Sequence, residues 1–262
     1  MDLLGTQRGI VRSLIVYYGV PFRARRMRAL YRQFLSAGDL AFDIGAHVGN
    51  RVRVWASIGA RTVAVEPQPS CLAVMKRLYG KNPLVTIVPM AVGREPGETT
   101  LLVSETNPTL TTTSRDWTTT VKNAEIFSGV AWNTEITVPV TTIDRLIEQH
   151  GEPAFVKIDV EGSERAVLDG LSRPLRAVSF EFLPAAIDVA FLCLDRLAEL
   201  GSYEYNLSRV ETMRFEYPRW VDAAAIREFL SGLGKNDRSG DVYARLKARA
   251  DDARGTSGRA AP

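Results

Sequence analysis

Short, almost continuously apolar runs alternate with helix-like segments along most of the chain. The runs are "DLAFDI" (39–44), "RTVAVEP" (61–67), "VTIVPMAVG" (85–93), "AFVKIDVEG" (154–162) and "AVSFEF" (177–182). Their β-branched, apolar character is typical of parallel strands that are covered on both faces. Because the segments between them have helical periodicity, the pattern predicts a doubly wound α/β sheet with right-handed crossovers.

The alternation pauses between residues 97 and 140. We expect two extra strands there, "GETTLLVS" and "EITVPV", on either side of an irregular, Thr-rich segment at 104–135. A long irregular segment inside a domain is more often a lid or binding element than a simple connection. Its tryptophans, Trp117 and Trp132, could stack on a ring-shaped ligand or pack at the sheet edge, and both interpretations stay open.

The C-terminal part predicts two last strands, "YEYNLS" and "GDVYARL", with a helix at 222–233 between them. We assign residues 39–250 to one domain, because a chain of 262 residues favours one sizeable core. The small and charged residues of 251–262 predict a disordered tail.

Residues 1–38 form a basic N-terminal extension in which seven arginines face a single acid, Asp2. Apolar residues recur at helical spacing from Phe22 to Leu35, which predicts a basic amphipathic helix. Its charged side could be a solvated face on a helix packed against the domain. It could also make peripheral contact with a membrane or an anionic substrate.

Composition excludes several classes of protein. A hydrophobic content of 45%, a charged content of 24% and a net charge of +3 describe an ordinary globular domain, and the charge does not require nucleic acid as partner. No apolar run approaches the roughly 20 residues of a membrane helix, and the N-terminus lacks the order of a secretion signal. The two distant cysteines favour reduced thiols in a cytoplasmic enzyme, and no Cys/His spacing predicts a metal site.

Chemically informative residues follow the predicted strands at their carboxyl ends, where open parallel sheets bind ligands. They are Asp43 with Gly45 and Gly49 after the first strand, Glu66 after the second, Ala91 after the third, and Asp159, Glu161 and Gly162 after the fourth. The glycines permit a tight turn and a close approach of the backbone to a ligand.

These strand ends favour a particular nucleoside ligand. Glu66 is placed to accept the two hydroxyl hydrogens of a ribose. Asp43 would repel the pyrophosphate of a dinucleotide, and "GAHVGN" lacks the G-x-G-x-x-G pattern. S-Adenosyl-L-methionine fits better, because it carries an ammonium, a sulfonium and a ribose but no phosphate.

The chain resembles the FkbM-like family of S-adenosylmethionine-dependent methyltransferases from about residue 38 to 183. The resemblance depends on "GDLAFDIGAHVGNRV", "VAVEPQP", "VPMAVG", "VPVTTID", "FVKIDVEGSERAVLDGL" and "SFEF", in that order. It implies the Rossmann-like class I methyltransferase fold, a mostly parallel seven-stranded sheet with an antiparallel last strand. It also implies methyl transfer to a hydroxyl of a sugar or glycan, a polyketide or another small metabolite.

The resemblance also implies roles for individual residues. The cofactor-binding residues would be Asp43, Gly45, Ala46, His47, Gly49, Glu66, Pro67, Met90, Ala91 and Asp159, with Met90 and Ala91 against the adenine. His47 could instead bond only within its loop.

A sugar or alkyl hydroxyl needs its proton accepted during attack, or a metal that lowers its pKa. The catalytic candidates are therefore Asp159, Glu161 and Glu181, with Asp159 preferred as the base. Asp159 could equally serve only to hold the cofactor. Lys157 shares a strand face with Asp159, and we expect it to pair with a nearby acid.

Other functions remain open at this stage. A transferase acting on nitrogen or nucleic acid would want a basic face, which the N-terminal arginines could supply, but no RNA-binding module accompanies them. A nicotinamide-dependent Rossmann oxidoreductase is disfavoured by Asp43. A cofactor-binding protein without catalysis is also compatible with the pattern. Neither the acceptor nor the oligomeric state is encoded in a motif.

Overall fold

The computed structural model describes residues 3–122 and 124–247. The predicted tail at 251–262 and the last three residues of the predicted domain therefore lie outside the described residues. None of the described helices combines the length and the apolarity needed to cross a membrane.

Ten strands and nine α-helices are formed by the described residues. The strands are β1 (Leu40–Ile44), β2 (Arg61–Val65), β3 (Val85–Val88), β4 (Ala91–Val92), β5 (Gly97–Val103), β6 (Thr134–Thr141), β7 (Phe155–Ile158), β8 (Ala177–Phe182), β9 (Tyr203–Arg209) and β10 (Gly240–Leu246). The helices are α1 (Leu3–Tyr18), α2 (Arg23–Tyr31), α3 (Asn50–Ile58), α4 (Pro69–Tyr79), α5 (Arg115–Val121), α6 (Ile143–His150), α7 (Glu164–Asp169), α8 (Asp188–Leu200) and α9 (Ala223–Ser231).

Seven strands form the main sheet in the order β3-β2-β1-β7-β8-β10-β9. The first five are mutually parallel, whereas β10 runs antiparallel to both of its neighbours. This arrangement confirms the predicted mostly parallel, seven-stranded α/β sheet with an antiparallel last strand. Strand order reverses between β1 and β7, and in open α/β sheets a crevice for ligands opens at such a point.

The predicted third strand, 85–93, is wrong as a single strand. β3 ends at Val88, and β4 leaves the main sheet to pair with β6 in a second sheet of order β4-β6-β5. Pro89 lies at the break, where it has no N–H to continue a ladder. The two extra strands expected between 97 and 140 are β5 and β6 of this second sheet.

The main sheet is covered on both faces. Alternate residues of β1 point to opposite sides, so Phe42 packs into one apolar cluster and Ala41 into another. The cluster around Ala41 includes Tyr31 and Phe34 from the basic N-terminal extension, and the rings of Phe34 and Phe155 lie 4.8 Å apart. α2, which lies within the span predicted as an amphipathic helix, therefore packs its apolar side against the sheet.

The irregular segment at 104–135 contains α5, forms a bridge with β5 between Thr112 and Leu102, and packs its apolar residues with Ala186. Trp117 is 3% exposed, and its ring meets Phe127 and Trp132 edge to face. The Trp132 indole N–H donates to the Leu110 carbonyl oxygen at 2.6 Å. Both tryptophans thus pack within the protein, which agrees with the packing interpretation rather than with ligand stacking.

Candidate functional site

A cavity with an empty volume of about 780 Å³ opens at the carboxyl ends of β1, β2 and β7. Nine of the predicted site residues line it, namely Gly45, Ala46, His47, Glu66, Pro67, Met90, Ala91, Asp159 and Glu161. Asp43 and Gly49 lie behind this wall, while Glu181 lies next to Asp159 and Glu161. Residues far apart in sequence therefore converge on one cleft.

The loop between β1 and α3 has a left-handed backbone at three positions. φ is 81° at Gly45, 49° at His47 and 79° at Gly49. A Cβ on Gly45 would collide with the carbonyl oxygen of Asp159, and one on Gly49 would lie 2.6 Å from the Tyr79 ring. The glycines are thus required by close contacts with the protein itself, not only by the approach of a ligand.

Glu66 joins this loop to the end of β2. Its two carboxylate oxygens accept the backbone N–H groups of His47 at 2.9 Å and Gln68 at 2.8 Å. Burial raises the pKa of Glu66 to about 7 although both hydrogen bonds favour the carboxylate. Since each oxygen has a second lone pair, a bound diol could still donate to this group.

His47 is held on the other side of the loop. Its Nδ1 lies 3.2 Å from the Sγ of Cys71, and its ring packs edge to face on Tyr17. Burial lowers the pKa of His47 to about 4, so the ring is neutral near pH 7. Nε2 is buried without a hydrogen-bond partner among the described residues, and His47 lines the cavity. A ligand in the cavity could therefore pair with this nitrogen.

Asp43 lies beneath the loop and is 1% exposed. Burial raises its pKa to about 6, although Arg51 and Lys157 act in the opposite direction. Its Oδ2 is buried and has no hydrogen-bond partner among the described residues. Such an orphaned acceptor is costly, and the cost is relieved when a donor reaches it.

Two buried cations organise the charges behind the cavity. The Lys157 ammonium is fully buried and lies 2.5 Å from Asp241 Oδ1 and 3.3 Å from Asp159 Oδ2. The Arg51 guanidinium lies 3.8 Å from Asp159 and 3.4 Å from Glu211. Lys157 thus pairs with a nearby acid as expected, and Asp159 is held between the two cations.

Several of these residues were not found from the sequence. They are Tyr17, Arg51, Glu211 and Asp241, which come from α1, α3, the turn after β9, and β10. Asp241 carried a usable signal, because it is an acid that precedes the apolar run at residues 242–244 in the same strand. The other three had no such signal, since arginines, tyrosines and acids at helix surfaces and turns are usually solvated.

Three carboxyl groups meet at the mouth of the cavity. One oxygen from each of Asp159, Glu161 and Glu181 lies within 4.8 Å of the others. Glu161 has a φ of 53°, and its carbonyl oxygen accepts the Thr112 hydroxyl at 2.6 Å. A non-glycine residue in this region is strained, and strain of this kind concentrates at functional sites.

The three carboxyl groups differ in their affinity for protons. Burial acts to raise the pKa of Asp159, but Lys157 and Arg51 outweigh it and hold this pKa below its ordinary value. Burial and the charge of Asp159 raise the pKa values of Glu161 and Glu181 well above the ordinary range. The cluster can therefore keep one ionised carboxylate beside two carboxyl groups that hold or exchange protons. Alternatively, its oxygens could bind a divalent cation.

The charge of the cavity wall indicates which ligands it accepts. Among the described residues that line it, Glu66, Asp159 and Glu161 oppose the single guanidinium of Arg51, which already contacts acids. A pyrophosphate would find no free cation among these residues and would face carboxyl groups instead. A ligand with a ribose and a positive charge, which can offer hydrogens to carboxylates and to His47, fits the residues present.

Comparison with solved structures found similar folds at low sequence identity. An O-methyltransferase from Bacillus cereus in complex with SAH is 11% identical, with a TM-score of 0.47, 91% of this chain covered and 90% of that one. The precorrin-6y C5,15-methyltransferase from Geobacter metallireducens GS-15 is 14% identical, with a TM-score of 0.43 and coverage of 85% and 87%. The C-terminal domain of the Rhodobacter capsulatus precorrin-6Y C5,15-methyltransferase is 14% identical, with a TM-score of 0.40 and coverage of 84% and 88%.

Comparison of this sequence with models of protein families identifies the family. No curated protein matches the chain. The model of the methyltransferase FkbM domain matches residues 43–236, which include the end of β1 and the loop after it, Glu66 and the carboxylate cluster. The match spans most of the chain and contains the strand ends that build the cavity. The chain therefore belongs to the FkbM-domain methyltransferase family.

Proposed function

We propose that the protein transfers the methyl group of S-adenosyl-L-methionine to a hydroxyl of a small-molecule, sugar or glycan acceptor, polyketides included. The observation that carries this proposal is the convergence of Glu66 and the Asp159–Glu161–Glu181 cluster on one cavity. Glu66 suits a ribose diol, and the cluster supplies proton acceptors beside it. Membership in the family makes methyl transfer the chemistry to be explained.

Different residues of the cavity would bind different parts of the cofactor. Glu66 would accept the ribose hydroxyls, and Met90 and Ala91 would lie against the adenine. Asp159 is ionised and would attract the ammonium of the amino-acid end, with Asp43 strengthening the negative potential beneath the loop. When bound, the cofactor supplies an activated methyl group on a sulfonium. The chain's own task is to align the acceptor and to manage its proton.

We assign the proton acceptor to Glu161. A carboxylate with a raised pKa is the stronger proton acceptor once it is ionised, and burial raises the pKa of Glu161 whereas Lys157 and Arg51 lower that of Asp159. Glu161 also lines the cavity, with Glu181 within reach of it. This assignment reverses the preference for Asp159 that the sequence suggested, because the two cations beside Asp159 weaken it as a base.

The proposal treats the cluster as a proton site rather than a metal site. Asp159 is already compensated by Lys157 and Arg51, so the cluster attracts a divalent cation less than three uncompensated carboxylates would. We therefore expect turnover to be unaffected by EDTA. Loss of turnover in EDTA, restored by magnesium, would instead assign the three oxygens to a divalent cation.

The first test compares ligands by thermal shift. Only a ligand that binds the native state raises the melting temperature, so S-adenosylhomocysteine should stabilise the protein and NAD should not. Glu66→Gln should lose at least about tenfold in S-adenosylhomocysteine affinity, because it removes a charged acceptor. Glu148→Gln, which changes an exposed carboxyl on α6, should bind as the wild type does.

The second test concerns the acceptor. Incubation with labelled methyl donor and fractionated small molecules and glycans should place the label on an oxygen of one fraction. Stabilisation by NAD but not by S-adenosylhomocysteine would overturn the cofactor assignment. Label on nitrogen, or on nucleic acid alone, would overturn the acceptor class and leave the cofactor site intact.

A further inference from the structure

The N-terminal helix α1 buries small residues on one side and exposes large apolar residues on another. Gly9 and Ser13 are buried, and a Cβ on Gly9 would lie 2.7 Å from the Pro108 side chain. Val11 and Ile15 lie on the opposite face and are 54% and 65% exposed. A helix on a globular protein normally shows the reverse pattern, so this outward face calls for an occupant.

The exposed apolar residues are concentrated in this one region. Of the nine large hydrophobic side chains exposed in the described part of the chain, five fall between residues 11 and 22: Val11, Ile15, Val16, Val20 and Phe22. Phe22 is 72% exposed and has a φ of 61°, which is an uncommon conformation for a bulky residue. We call these five side chains the outward apolar face.

Exposed arginines lie in the same N-terminal segment as the outward apolar face. Arg8 and Arg12 are exposed on the same side of α1, and Arg25 and Arg32 are exposed on or just after α2. Asp2 is the only acid among the first 38 residues. The region thus combines large apolar side chains with an almost unopposed positive charge.

Apolar side chains together with positive charge favour one of two possible binding partners for this face. A second copy docked by twofold symmetry would bring Arg8 and Arg12 of both chains together, and residues 1–38 offer only Asp2 to neutralise them. An anionic lipid surface supplies both an apolar layer and negative charge, which is how interfacial amphipathic helices bind. We propose that the outward apolar face docks the protein on an anionic membrane surface.

The position of α1 connects this surface with the cavity. Tyr17, at the end of the helix, lines the cavity and packs on His47. The Tyr18 hydroxyl donates to the Val48 carbonyl oxygen at 2.9 Å, and Arg12 donates to Asn107 at 3.2 Å. A bilayer bound to α1 would therefore lie beside the cavity, where it could present an acceptor carried by a lipid.

Vesicle co-sedimentation of the full-length protein tests the proposal. The protein should sediment with vesicles of phosphatidylcholine and phosphatidylglycerol, but much less with phosphatidylcholine alone or at high salt. Ile15→Glu should weaken binding by at least about tenfold, because it places a charge in the apolar layer. Leu192→Glu changes a side chain that is 47% exposed on α8 and should sediment as the wild type does.

Charge and folding need their own controls. Arg8→Glu should reduce binding to anionic vesicles, and each variant should keep the wild-type melting temperature.

Wild-type protein that stays in the supernatant with anionic vesicles would overturn the proposal, as would unchanged binding of Ile15→Glu. Dimers in sedimentation velocity that Ile15→Glu dissociates, without vesicle binding, would assign the face to a second copy instead. The assay uses no cofactor or acceptor, so its failure would leave the proposed methyl transfer untouched.

Discussion

The ammonium of Lys157 lies 3.3 Å from the carboxylate of Asp159, two residues further along the chain, and the lysine is fully buried. Asp241, on β10, lies 2.5 Å from the same ammonium. One buried cation thus connects the parallel part of the sheet with its antiparallel strand and holds Asp159 in the ionised form. The Arg51 guanidinium lies farther from the same two acids, at 3.8 Å from Asp159 and 3.7 Å from Asp241.

Lys157→Met should destabilise the protein strongly, because it leaves Asp159 and Asp241 buried without their main partner. Removing one member of a buried ion pair costs about 3–5 kcal/mol. Arg115→Met removes an exposed pair with Glu135 and should cost less than about 1 kcal/mol. Urea unfolding of the two variants measures the contrast, and equal losses would show that Lys157 does not support the network.

Glu161→Gln should lower turnover while S-adenosylhomocysteine still binds. Loss of a general base typically costs about 10²–10⁴-fold in rate. The raised pKa also predicts the direction of the pH dependence. Wild-type activity should rise with pH as Glu161 loses its proton, and this rise should occur above the pH range in which a glutamate ordinarily ionises. Rate–pH profiles check this, and an unchanged rate or an unchanged rising limb in the variant would exclude Glu161 as the base.

The cofactor-free protein should lose stability as pH rises through the range in which Glu66 ionises. Its pKa is raised from 4.5 to about 7 in the folded state, so the folded state binds a proton that the unfolded state releases earlier. Stability from this group is therefore present below about pH 4.5 and lost as pH approaches 7, by up to about 3 kcal/mol.

Glu66→Gln should flatten this slope between about pH 4.5 and 7 without abolishing it, because Asp43, with a pKa raised to about 6, acts in the same direction. Melting temperatures across this pH range measure the effect. Glu148→Gln, with its exposed carboxyl, should retain the wild-type slope. An identical slope in Glu66→Gln would contradict the raised pKa.

Gly162→Ala should be more damaging than Gly129→Ala. Both glycines have positive φ, 92° and 79°, and a left-handed non-glycine residue costs roughly 1–2 kcal/mol. A Cβ at 162 would also collide with the Trp117 ring, whereas a Cβ at 129 would meet no atom within 4 Å. Thermal unfolding separates the cost of strain from that of the collision, and equal destabilisation would mean that Trp117 does not pack against the loop between β7 and α7.

The pattern of strands was predictable because it is a local property. Buried parallel strands need continuous apolar residues, and β1, β2, β7 and β8 each stand out for that reason. The carboxyl ends of parallel strands meet at one edge, so Glu66 and Asp159 could be placed near a common ligand. The break in the third strand was missed, although Pro89, which removes an N–H from the ladder, is a local signal for it.

The contacts between distant elements were not predictable in this way. Arg51 comes to lie near Asp159, Glu211 and Asp241 only because α3, β7 and β10 fold against one another. A charged residue on a helix is usually solvated, so nothing in the letters around Arg51 marks it as buried. The same holds for Tyr17, whose place at the cavity depends on how α1 packs.

The sequence by itself determined the type of sheet, the acids at its strand ends and the family to which the chain belongs, since each of these depends on short stretches of neighbouring residues. Only the tertiary structure decided which of three similar carboxyl groups can take a proton. Burial and the distance to Lys157 and Arg51 separate the pKa of Asp159 from those of Glu161 and Glu181. Electrostatic energies depend on distance and exposure in three dimensions, and neither quantity is written in the order of residues.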